Sequence, residues 1–115
     1  MSQPVPSYTE ADLDRVVARD YPGRVEQVLR ILAQYGKERW HDEPLRVRMA
    51  CLKLGKGDTR ELEKYLRDAC QDYRDVLAWA EYPTYMTAWT AEARTNAEET
   101  DWKQLQNWLY GRPEN

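Results

Sequence analysis

The sequence contains no phenylalanine, a single histidine (His41), and only two cysteines, Cys51 and Cys70. A structural zinc site draws on about four Cys or His ligands at short spacing, so these three residues do not make one. Each cysteine falls on an apolar helical stripe and reads as a reduced, buried thiol acting as a small hydrophobe. His41 lies in a charged connector, Lys37–Glu43, with no nucleophile motif of the triad or elbow kind elsewhere to pair with it. It reads as a surface residue or a cap. Long hydrophobic runs are missing too. No stretch approaches the roughly eighteen apolar residues of a membrane span. The opening MSQPVPSYTE has neither the basic nor the apolar region of a secretory signal, which makes the cytoplasm the expected location. Glycine is sparse, and GKGD at 55–58 is too short for a nucleotide-binding loop, so no cofactor is expected. An excess of positive charge is absent as well. Seventeen Lys and Arg against twenty Asp and Glu leave a net charge of -3, which argues against a general nucleic-acid binder. Such a role would need Arg46, Arg48, Lys53 and Lys56 on one exposed face.

What is present describes one globular domain. A chain of 115 residues, 42% hydrophobic and 32% charged, has the length and composition to fold around a single core. Its organising stretch is Gly57–Pro83, GDTRELEKYLRDACQDYRDVLAWAEYP. Asp58 suits an N-cap with Glu61 three residues on. Leu62, Leu66, Ala69, Tyr73, Val76 and Ala80 then recur at spacings of three and four, one face of a helix. Cys70 and Leu77 widen that stripe, and Pro83 stops it. The pattern predicts one long central helix over about 58–80.

The other elements follow from weaker versions of the same signals. Residues 1–8 carry two prolines and no periodicity, which predicts a flexible tail. Thr9 with Asp12 marks a helix start, and Leu13, Val16 and Val17 give its face over about 10–19. A second helix over about 22–35 admits Pro22 in its first turn, buries Val25, Val28, Leu29, Leu32 and Tyr35, and ends at Gly36. A third begins near Pro44 and runs to the Gly55-Lys56-Gly57 stop. Tyr85, Met86 and Trp89 predict a short core-facing helix over 84–93, with Arg94–Glu99 as a connector. Thr100 then caps a last helix with Trp102, Leu105 and Leu109 on one face beside Trp108, ended by Gly111 and Pro113. The reading is an all-α, single-domain bundle of about five helices spanning 9–111.

Arg46-Val47-Arg48, Leu52-Lys53-Leu54-Gly55, Gly57-Asp58 and above all the run Asp72–Pro83 (DYRDVLAWAEYP) resemble a group of small bacterial helical proteins without an assigned activity. The similarity covers about residues 21–86. The resemblance implies a bacterial, cytoplasmic, helical context and no mechanism.

Three constellations carry candidate functions. Asp68, Asp72 and Asp75 fall at i, i+4 and i+7 on the central helix, and three converging carboxylates suit a hard divalent cation or raise one another's pKa toward general-base use. With Arg74 they define a metal- or small-molecule-binding, enzyme-like alternative. A single helix rarely closes such a site, however, and charged helix faces are commonly solvated or paired. Asp72, Arg74, Asp75 and Tyr82 read instead as a structural anchor for the Tyr82-Pro83 turn. Finally, Trp40, Trp79, Trp89, Trp102 and Trp108 are too many rings to assume all buried in so small a domain. Trp79, Trp89, Trp102 and Trp108 read as interaction residues unless the C-terminal helix folds back to cover them. Exposed Trp favours protein interfaces. The favoured expectation is therefore a module that binds another protein or itself, more consistent with a non-enzyme than an enzyme.

Overall fold

The computed structural model describes residues 5–111. Met1 to Pro4 of the expected tail, and the expected Pro113 stop, lie outside the described residues. Within them the elements are helical: α1 (Glu10–Asp20), α2 (Val25–Leu32), α3 (Pro44–Gly55), α4 (Thr59–Glu81), a 3-10 turn (Tyr85–Thr87) and α5 (Ala91–Leu109). None is both long and apolar enough to cross a membrane.

Residues 5–9 precede α1 without regular structure, yet Pro6 is buried and Tyr8 packs against the core. Helix α1 opens on a reciprocal cap. The Asp12 N–H donates to Thr9 Oγ1 at 3.1 Å, and the Thr9 N–H donates to the Asp12 carboxylate at 3.0 Å, which satisfies two amides that the first turn leaves free. Leu13, Val16 and Val17 then turn inward.

Helix α2 is shorter than its pattern predicts. Pro22 lies in the turn before it, where Gly23 takes a left-handed φ of 77°, and the helix ends at Leu32 rather than Tyr35. Eight residues present only a narrow stripe. Val28, Ile31 and Leu32 fill it, while Val25 and Leu29 remain partly exposed. The carbonyls at its end are taken by Arg48 of α3, whose Nε donates to Leu32 O at 3.1 Å and whose Nη2 donates to Tyr35 O at 2.6 Å. A cation here also complements the negative end of the helix dipole.

The connector after α2 wraps around His41, which is buried rather than at the surface. Its ring stacks on Tyr35 (centroids 4.4 Å apart, 16° between planes) with Trp40 edge-on at 4.1 Å. Nδ1 accepts the N–H groups of Gly36 at 2.9 Å and Glu38 at 3.3 Å, so the ring hydrogen resides on Nε2. His41 closes a turn.

Helices α3 and α4 form the most extensive pairing in the molecule. Val47, Cys51 and Leu52 of α3 meet Leu62, Leu66 and Val76 of α4 in the core. Each such side chain contributes about 1.5–3 kcal/mol by leaving water. Burial also pushes the Cys51 thiol up, away from thiolate chemistry. Between the two helices the chain reverses through two consecutive left-handed residues, Lys56 (φ 50°) and Gly57 (φ 82°). Asp58 then caps α4, its Oδ1 accepting the N–H groups of Arg60 at 2.8 Å and Glu61 at 3.3 Å.

Helix α4 is interrupted at Asp72, whose backbone (φ -154°, ψ 100°) is extended rather than helical. The long central helix is therefore two helical segments joined by a kink. Asp72 acts as the N-cap of the second segment, because its Oδ1 accepts the Arg74 N–H at 3.0 Å.

The largest departure lies beyond Pro83. Residues expected as a helix over 84–93 form only the three-residue 3-10 turn. The expected Arg94–Glu99 connector is helical and belongs to α5, which starts at Ala91 under a Thr90 cap whose Oγ1 accepts the Ala93 N–H at 3.0 Å. The far end of α5 returns to α1. Arg15 Nη2 and Arg19 Nη1 donate to Leu109 O at 3.0 and 3.3 Å, and the Arg19 guanidinium stands over the Trp108 ring, 5.8 Å from its centroid.

Candidate functional site

The end of α4 is held from two sides. Glu81 is fully buried (0% exposed), although the sequence places it merely among the charges at a helix end. Its carboxylate meets Arg46 of α3 in a two-pronged pair, Nη2 to Oε1 at 2.6 Å and Nε to Oε2 at 2.9 Å. Arg46 Nη1 reaches Glu43 at 3.1 Å. The Glu81 pairing holds the guanidinium firmly in its charged form. Tyr8 and Tyr82 border the pair. Burial, reinforced by the Glu81 charge, pushes both phenols up, so both remain neutral.

The second hold comes from α5. Asp101 is 2% exposed, and its two carboxylate oxygens accept the N–H groups of Thr84 at 3.0 Å and Tyr85 at 2.9 Å. These amides open the 3-10 turn, so one side chain both caps that turn and ties α5 to the end of α4. Arg94 braces the following residues, with Nε donating to Ala88 O at 3.4 Å and its guanidinium over the Tyr85 ring at 6.0 Å.

The turn fixed in this way lifts two large apolar side chains into solvent. Met86 is 59% exposed and Trp89 is 93% exposed. This reverses the expectation that Tyr85, Met86 and Trp89 pack on the core, since only Tyr85 is partly covered. Exposure on a well-braced segment matters because little conformational entropy remains to be lost when the ring is covered.

The other tryptophans divide. Trp79 is 42% exposed and lies edge-on to Tyr65, with centroids 6.2 Å apart. Trp102 is half-buried, and Trp108 packs against the core beside Arg19. Of the four rings singled out as interaction residues, Trp89 is the most open and Trp108 serves the fold.

The acidic row is not gathered. The kink turns Asp72 toward its own neighbour, and its carboxylate accepts Arg74 Nε at 3.0 Å and Nη2 at 3.1 Å. That pairing holds the Asp72 carboxyl below the usual range. Among the described residues no three His, Cys, Asp or Glu side chains come together as a metal-holding set, Asp68, Asp72 and Asp75 included. The anchor for the Tyr82-Pro83 turn likewise lies elsewhere than in Asp72, Arg74 and Asp75. Arg74 and Asp75 are exposed, and the turn is held through Glu81 and Asp101. Of the quartet Arg46, Arg48, Lys53 and Lys56 only Lys56 is exposed, and Arg46 and Arg48 are committed to Glu81 and to the carbonyls ending α2.

The sequence signal for Asp101 and Glu81 is faint. Each is a buried carboxylate whose partner lies 16 to 35 residues away, a separation that no local pattern reports. Comparisons of the chain with protein-family models, with curated proteins and with solved structures find no match.

Proposed function

We propose that this protein is an interaction module rather than an enzyme, and that it associates with a second copy of itself through the Met86–Trp89 tip. The observation that carries the reading is a tryptophan 93% exposed on a turn braced by a buried carboxylate. Large exposed rings on rigid backbone are what interfaces use as anchors. A second copy is the favoured occupant because the tip is flanked by exposed charges of opposite sign, Glu92 and Arg94. In a two-fold contact each residue meets its counterpart's neighbour, so such a pair is self-complementary. The carboxylate alternative gains no support, since Arg74 already occupies Asp72.

Size sets the strength. A buried Trp covers roughly 150–250 Å² and a standard interface about 800 Å² per partner, so Trp89 and Met86 supply a minority of a stable interface. A weak, reversible dimer is the expected state. Sedimentation equilibrium across protein concentrations measures it directly. Trp89→Ala is expected to weaken association by about tenfold or more while changing folding stability by less than about 0.5 kcal/mol. A chain that stays monomeric up to about millimolar concentration, or a dimer indifferent to Trp89→Ala, overturns the reading.

A further inference from the structure

Away from the tip, the turn between α1 and α2 meets the turn between α3 and α4. We infer that the cleft they form, bounded by Arg24, Lys56 and Arg60, is a binding site for a small phosphate-bearing anion.

The cleft has a volume of about 580 Å³, and its lining includes Asp20, Tyr21, Pro22, Gly57 and Thr59 as well as the three cations. That is the size of a small-molecule site. The side chains of Arg24, Lys56 and Arg60 are exposed and have no ion pair among the described residues. The two carboxylates in the wall are in a different position. Asp20 is engaged by both Arg19 Nε at 2.8 Å and Arg19 Nη2 at 3.1 Å, and Asp58 is occupied by the amides that open α4. Three cations without an ion pair among the described residues therefore face one carboxylate paired with Arg19 and a second, Asp58, whose Oδ1 alone is taken up by backbone N–H groups.

The floor is built to bring the walls together. A Cβ on Gly57 would stand 2.9 Å from Asp20 O, so only glycine allows the two turns to approach this closely. Tyr21 is buried beneath them, and its phenol is pushed up to about 12 by burial. Lys56 holds the left-handed backbone that glycine or asparagine usually takes at the end of a helix. The groove continues into a neighbouring depression of about 520 Å³, which shares Asp20, Pro22, Lys56 and Gly57 and adds Arg19, Lys53 and Trp108.

Guanidinium groups grip phosphate oxygens in pairs, and an ammonium adds a compact charge. A net charge of -3 opposes an extended polyanion. A compact ligand feels chiefly the local cations, because charges beyond a Debye length of about 8 Å are screened. The chemistry therefore selects a small molecule carrying one or two phosphate groups.

The probe is inorganic pyrophosphate, titrated to about 20 mM at constant ionic strength into isotope-labelled full-length protein and followed by amide NMR shifts. The expected result is saturable shifts at Lys56, Gly57 and Arg60, which weaken by about tenfold in Arg24→Ala and in Arg60→Ala. Both substitutions are at exposed positions, and unchanged spectra elsewhere confirm that the variants fold. Shifts that do not saturate, that are matched by chloride at equal ionic strength, or that survive both substitutions overturn the site. Saturable binding of a single-stranded oligonucleotide in the same cleft, much tighter than pyrophosphate, overturns the choice of a small ligand. The tip plays no part in this titration, so its outcome is independent of the dimer measurement.

Discussion

Single residues decide how firmly the bundle is held. Glu81 is fully buried, and among the described residues its carboxylate is paired with Arg46. Removing one member of such a pair leaves the other uncompensated, at a cost of about 3–5 kcal/mol. Arg46→Met strands the Glu81 carboxylate and is thus expected to lower the unfolding free energy by about that amount in urea titrations, whereas Glu81→Ala should cost less because Arg46 keeps Glu43. The double substitution Arg46→Met with Glu81→Leu should recover much of the loss, because an apolar pair of similar volume needs no desolvation. At the start of α1, the Thr9 N–H holds the Asp12 carboxyl below its ordinary range, with help from Arg15. A carboxylate whose pKa is depressed by folding stabilises the native state above its unfolded value, near 4. That contribution is lost as pH falls through the depressed value. Asp12→Asn should therefore cost stability near neutrality and flatten the decline below about pH 4, as urea unfolding at a series of pH values would show. Removing the Oγ1 side of the same cap, in Thr9→Ala, should cost about 1 kcal/mol.

At the scale of elements, α1 and the start of α4 were legible because each combines a capping residue with an apolar stripe of helical period, and α3 because Pro44 opens it and Gly55-Lys56-Gly57 closes it. The first half of α5 was not. From Ala91 to Thr100 only Ala97 is buried, so the segment has almost no hydrophobic period, and its Thr and Asn residues suggest a connector. What it does have is a run of helix formers in Ala91, Glu92, Ala93 and Arg94 behind a Thr cap, and propensity with a cap was the signal to weigh. The kink in α4 escaped for the opposite reason, since its apolar stripe runs on through Asp72 unbroken. Of the two readings of His41, the cap holds, since Nδ1 takes two backbone N–H groups, and the surface residue does not, because Tyr35 and Trp40 supply rings that bury it. The connection between α4 and α5 depends on Asp101. Asp101→Ala leaves the Thr84 and Tyr85 amides without their acceptor, so it is expected to cost about 1–3 kcal/mol. Hydrogen exchange at those two amides should quicken well before the rest of the molecule, and any dimer should weaken with it. A uniform loss of protection across all helices would instead mean that Asp101 serves global folding and not the tip.

For the whole molecule, the radius of gyration is 14.2 Å and the principal extents are 43 × 32 × 23 Å. A compact domain of this length is expected near 13 Å, so the body is modestly elongated. The fold class and the single core could be read from periodicity alone, whereas the candidate site could not. The site depends on which apolar residues fail to find cover, and that is settled only when all the helices are in place. Trp89 and Trp108 look equivalent in the sequence, yet one stands in solvent and the other beneath Arg19.

The hydrogen bonds from Arg15 and Arg19 to Leu109 O join residues 94 and 90 positions apart. Closing a loop of nearly the whole chain carries the largest entropic cost of any contact here, since that cost grows with the logarithm of loop length. This latch is therefore expected to form after the local helix pairs during folding, and Arg19→Ala should speed unfolding more than it slows folding. It also ties the end of α5 to the second half of α1, so a chain cut before Leu109 loses the one acceptor that both arginines share.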